Sequence, residues 1–100
     1  MKAKLIKAGS DELIEIAPAN GQHFNLRELQ EYVGGYIEVI TPPGKSGAII
    51  IANEEGKLIG LPLNKLATAM WLEFSEPGSL RRTDPVVGDV VLCHKSQMEE

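Results

Sequence analysis

The sequence predicts an α+β domain, a mostly antiparallel sheet with two short helices packed on it. Two amphipathic stretches each follow an Asn at cap spacing, as helices do. Several short runs rich in Val, Ile and Leu have strand length and are punctuated by Gly, Pro and Asn. The resulting order is strand, strand, helix, strand, strand, strand, helix, strand, which suits one sheet carrying two helices.

Residues 2–7 form the first expected strand, although their alternation is imperfect. Gly9-Ser10-Asp11 interrupts it, and 13–16 resumes as a second strand before Pro18, so a hairpin is the simplest pairing. A loop over 18–22 contains the turn dipeptide Asn20-Gly21. Asn25 then suits an N-cap, with Glu28 three residues on completing a capping box. Phe24 before the cap and Leu29 after it have the spacing of a hydrophobic staple. Leu26, Leu29 and Val33 share a face with Tyr32 beside them, and Gly34 falls where a left-handed cap ends the helix.

Residues 36–41 read as strand, with Tyr36, Glu38 and Ile40 on one side and Ile37, Val39 and Thr41 on the other. After a loop over 42–47, the apolar run 48–52 reads as a central strand. Asn53-Glu54-Glu55-Gly56 has a type I turn signature, and 57–61 is expected to return as the partner strand. Pro62 stops that pairing, and Asn64 caps a second helix over 65–74. Leu66, Met70 and Phe74 form its apolar stripe, flanked by Ala67 and Trp71. Residues 76–79 close the helix, 80–84 are polar, and 86–93 form a last strand with a bulge or turn at Gly88.

One hundred residues, 43% hydrophobic and 24% charged, fit a single globular domain over 1–100, with 1–4 and 96–100 expected to fray. Ten basic against fourteen acidic residues give a net charge of −4, which argues against general binding of duplex nucleic acid. Arg81-Arg82 could still build a local anion site with backbone amides. Cys93 is the single cysteine, so no intrachain disulfide is expected. No apolar run has the length of a membrane span, and the first residues lack a signal-peptide core. A cytoplasmic protein is the expectation.

Gly44-Lys45-Ser46 has the ending of a phosphate-binding P-loop, but the glycine required five positions earlier is Val39. The following residues also read as strand where that motif needs a helix. No metal centre is expected, because Cys93 and His94 are adjacent in a strand and His23 lies in a loop. Cys93 ends a Val-Val-Leu run and reads as a buried small hydrophobe, not a nucleophile. Ser10, Ser46, Ser75, Ser79 and Ser96 all fall in turns or tails. Glu54 and Glu55 sit at a turn tip, whereas Glu38 lies within a strand and needs a partner if its face is covered. Asn53 and Asn64 have turn and cap roles first, and Trp71 and Tyr36 have core or interface roles first.

Val33-Gly34-Gly35-Tyr36-Ile37-Glu38-Val39, Asn53-Glu54-Glu55-Gly56-Lys57-Leu58, Gly60-Leu61-Pro62-Leu63-Asn64 and Val87-Gly88-Asp89-Val90-Val91-Leu92 together carry a resemblance. They resemble a family of small proteins of unknown function common in bacteriophages, plasmids and other bacterial mobile elements. The resemblance runs over roughly 5–93 and implies a mobile-element origin and a single domain. It brings no catalytic residues.

These readings converge on a non-enzymatic homo-oligomer without a cofactor. It is expected to sequester a small anionic, nucleotide-type ligand at a subunit interface, as a counter-defence protein. Such a site needs a cation for phosphate and an aromatic for the base, which nominates Tyr36, Lys45, Asn53, Asn64, Arg81 and Arg82. The alternative is a protein-interaction module that inhibits or adapts a host protein through an apolar patch or a sheet edge. A third reading is an enzyme of a type these residues do not identify.

Overall fold

Alternation along the strands decides the architecture, because successive side chains in a strand point to opposite faces. The computed structural model describes residues 2–42, 46–73 and 85–98. Among them five strands form one sheet: β1 (Ala3–Ile6), β2 (Ile14–Ile16), β3 (Ile37–Ile40), β4 (Ala48–Asn53) and β5 (Val90–His94). Their order across the sheet is β2-β1-β5-β4-β3, and every neighbouring pair is antiparallel. Both β4 and β5 are paired on two sides, which matches their near-continuous apolar character.

Two helices cover this sheet, α1 (Leu26–Val33) on one face and α2 (Lys65–Glu73) on the other. Beneath α1, Phe24, Leu29 and Val33 pack with Ile49, Ile51, Val91 and Cys93. Beneath α2, Ala67 packs with Ile50, Ala52, Val90 and Leu92, joined by the half-buried Leu66, Met70 and Trp71. The fold is thus helix, sheet, helix: an α+β domain in three layers.

The first helix forms for local reasons. The Glu28 amide donates to Asn25 Oδ1 at 2.9 Å and the Asn25 amide returns to Glu28 Oε2 at 3.0 Å. The free Glu28 oxygen accepts from the Ala19 amide at 2.7 Å, tying in the preceding loop. Gly34 adopts φ 78° and its amide reaches the Gln30 carbonyl at 2.8 Å, ending the helix as expected. Leu26, assigned to the apolar face, is instead exposed; Leu29 and Val33 carry the packing with Phe24.

The main departure follows β4. Residues 57–61, expected to return as a strand, form none: 57–60 are consecutive turns. The Ile59 amide bonds to the Glu55 carbonyl at 3.0 Å and the Leu61 amide to the Gly56 carbonyl at 2.9 Å. The edge of β4 that this segment was to fill belongs to β5, and Gly60 at φ 75° bends the chain away. Residues 62–64 then run beside 86–88 through the Leu63–Val87 bridge. Gly88, with φ 75°, separates that bridge from β5, so the expected break lies there. A Cβ on Gly88 would sit 2.8 Å from Leu61 Cδ1.

Ala3 is buried in β1, and Lys95–Gln97 form a 3-10 turn whose Gln97 carbonyl accepts from the Phe24 amide at 2.7 Å. Met98 completes a bridge to Phe24. The Pro43-Gly44-Lys45 part of the loop, the helix end at Phe74 and the polar stretch through Asp84 lie outside the described residues.

Candidate functional site

The α2 face is not covered evenly, and the uncovered part is the site of interest. Ile40 of β3 and Ala52 of β4 face the α2 side, and Glu38 stands directly opposite Ala52 in the ladder. Trp71 of α2 borders one side of this floor, Lys57 and Leu58 border another, and 85–87 contribute to the lining. The resulting cleft measures about 240 Å³. Its charged lining among the described residues is Glu38, Glu54 and Lys57, two carboxylates to one ammonium. This is an apolar floor with an acidic bias.

Among the described residues β3 is an edge strand of the sheet, and its Glu38 and Ile40 line the cleft. The Glu54 amide donates to the Tyr36 carbonyl at 2.8 Å, which makes that pair a hydrogen-bonded one in the β3–β4 ladder. Bonded and non-bonded pairs alternate in an antiparallel ladder, so Glu38 and Ile40 also bond inward toward β4. The N–H and C=O groups of Ile37 and Val39 consequently point outward from the sheet. In the turns after β4, Leu58 lines the same cleft as Glu38 and is 87% exposed, and Ile59, next to it in sequence, is 59% exposed. Large apolar side chains on a loop gain nothing for the fold in that position.

Of the six residues nominated from sequence, the structure describes Tyr36, Asn53 and Asn64, and these three lie in different places. Tyr36 is 68% exposed and borders a separate shallow depression of about 340 Å³ beside Arg27, Gln30 and Glu31 of α1. Asn53 does line the cleft, but its amide is engaged in the fold. Its Nδ2 donates to the Val33 carbonyl at 3.2 Å and its Oδ1 accepts from the Glu55 amide at 2.8 Å. A Cβ on Gly35 would lie 2.9 Å from that Nδ2, so glycine at 35 leaves room for the Asn53 amide.

Asn64 is completely buried. Its Nδ2 donates to the carbonyls of Ile6 at 3.0 Å and Gly88 at 2.8 Å, while Oδ1 accepts from the Ala67 amide at 3.0 Å. Three polar functions are satisfied within the protein, leaving none directed at a ligand. Lys45, Arg81 and Arg82 lie outside the described residues.

Other chemistries have equally definite local explanations. Cys93 is buried, and desolvation pushes its thiol up to about 11, which disfavours a reactive thiolate. Among the described residues no cluster of His, Cys, Asp and Glu could hold a metal. His94 Nδ1 lies 2.8 Å from Ser96 Oγ, yet it also accepts the Ser96 amide at 3.1 Å. That geometry caps the 3-10 turn. Both α-helix N-termini are occupied by Asn side chains, which removes the usual helix-end anion sites. No helix among the described residues is long and apolar enough to cross a membrane.

Of the residues lining the cleft, Asn53 alone was nominated from sequence; Trp71, Lys57 and Leu58 are among those that were not. Trp71 fits a core stripe, and Lys57 and Leu58 fall in the segment expected to pair as strand. Gly56 and Gly60 bracketing that segment were the available signal for a turn.

Comparisons with known proteins give no match to a curated protein and none to a solved structure. One family model spans the whole chain, residues 1–100. The three-layer domain with its open cleft therefore belongs to the family described as a domain of unknown function, DUF3846.

Proposed function

We propose that this protein is a non-enzymatic binding module of a phage or other mobile element, acting in the bacterial cytosol by engaging a polypeptide. The observation that carries this reading is the exposure of Leu58 at the apolar cleft lined by β3, an edge strand among the described residues, with Ile59 exposed next to it in sequence. An exposed apolar loop next to unpaired backbone groups supplies both contact area and hydrogen bonds to a polypeptide. The mobile-element origin rests on the motif resemblance, and blocking or adapting a host protein is the corresponding role.

Sequestration of a nucleotide-type anion is the second reading, favoured by Lys57 and Trp71 lining one cleft. Its difficulty is electrostatic, since Glu38 and Glu54 line the same cleft.

The test compares the wild-type protein with a Leu58→Asp/Ile59→Asp variant as immobilised baits. Both side chains are exposed, so the variant should fold with stability within about 0.5 kcal/mol of wild type. Supporting this reading requires a bacterial polypeptide retained by wild type, lost with the variant, and bound again by wild type when purified. Polypeptide retention that ignores the double substitution, together with a rise in Tm on adding nucleotides, would overturn it in favour of anion sequestration.

A further inference from the structure

We infer that the β3 edge takes an extended segment of its partner as a sixth strand, with a Lys or Arg of that segment set against Glu38. This rests on the polypeptide-binding reading and specifies its chemistry. Ile37 and Val39 present two outward N–H and two outward C=O groups, by the alternation that the Glu54–Tyr36 bond establishes. A guest strand can satisfy all four while leaving the β3–β4 ladder intact.

Guest pairing to Ile37 and Val39 places Glu38 in a non-hydrogen-bonded position, where facing side chains approach most closely, about 4.5–5.5 Å between Cβ atoms. Glu38 shares the α2 side of β3 with Ile40, so the guest residue opposite it projects beside the cleft. Glu38 is exposed and has no ion pair among the described residues. Glu54 lines the same cleft, so with Lys57 counted its charged lining among the described residues stays negative. A basic guest residue is therefore the complementary one, and an apolar residue two positions away reaches Ile40 and Trp71.

Charge also separates this occupant from a second copy of the chain. The two-fold pairing that uses all four outward groups centres on residue 38. It sets Glu38 directly against Glu38 of the other copy, and like charges directly opposite destabilise a strand pair. The edge is thus better suited to a basic foreign strand than to itself.

The probe is a pair of end-blocked heptapeptides, Thr-Val-Val-Lys-Val-Val-Thr and its Lys-to-Glu counterpart, titrated into isotope-labelled protein while backbone amide resonances are followed. The expected result is perturbation of the Ile37 and Val39 amides, with the Lys peptide binding about fivefold to tenfold more tightly than the Glu peptide. A Glu38→Lys variant should reverse that preference. Val39→Pro removes one outward donor at an edge position where proline is tolerated, and should weaken both peptides. Equal binding of the two peptides, or no perturbation at Ile37 and Val39 up to millimolar peptide, overturns the inference. Perturbation confined to Leu58 and Ile59 also overturns it, while leaving the broader polypeptide-binding reading standing.

Discussion

The two helices begin with the same residue, yet they are attached to the sheet in different ways. Asn25 starts α1 with a half-buried capping box, and the helix is then held by Phe24, Leu29 and Val33 pressed into the core. Asn64 starts α2 from complete burial, and its side chain joins three segments at Ile6, Gly88 and Ala67. Thr68 extends this polar anchor, donating to the Asn64 carbonyl at 2.9 Å and accepting from the Val86 amide at 2.9 Å. The polar clamp locates α2 at one end, while among the described residues the cleft lies at the far end of the sheet face, over β3.

The difference between the two caps gives the largest expected effect. Asn64→Ala leaves two buried carbonyls and one amide without their partner, so it should cost about 3 kcal/mol or more. Chemical denaturation of the purified protein measures this, and a loss below 1 kcal/mol would show that water can replace the clamp. Next comes the α1 face, where the buried Cys93 thiol reports how well water is excluded. Its folded value of about 11 lies above the ordinary 9.0, so the unfolded chain loses its proton first as pH rises. The contribution is fully present below pH 9 and should fall by about 2–3 kcal/mol as pH approaches 11. Subtracting the pH profile of Cys93→Val isolates this term from other groups that titrate there; two parallel profiles would mean that the thiol is hydrated. Smallest is Asn25→Ala, at about 1 kcal/mol, because its partners are partly exposed and can turn to water. A cost equal to that of Asn64→Ala would erase the contrast between the helices.

What could be foreseen from sequence follows the same division between local and distant causes. The capping box, the left-handed Gly34 and the Asn53 turn are settled within a few residues, and each appears where expected. Burial of Cys93 follows from its place in a continuous apolar strand. Residues 57–61 were misassigned because Leu58, Ile59 and Leu61 resemble a strand, while the decisive fact is distant: β5 already occupies that side of β4. Asn64 carried a correct local reading as a cap, but its bonds to Ile6 and Gly88 depend on the finished sheet. The cleft was illegible for that reason. It is the gap left between Trp71 and the turns after β4, and no single segment encodes it.

The position of β5 in the strand order carries a consequence for how the chain reaches this state. Among the described strands, β1 and β2 make one antiparallel pair, β3 and β4 make another, and only β5 joins them. Synthesis proceeds from the N-terminus, so a ribosome delivers two separate hairpins before the strand that unites them. Isolated hairpins are marginal in water. Completion of the sheet is then a late event of vectorial synthesis, gated by the emergence of residues 90–94 from the exit tunnel.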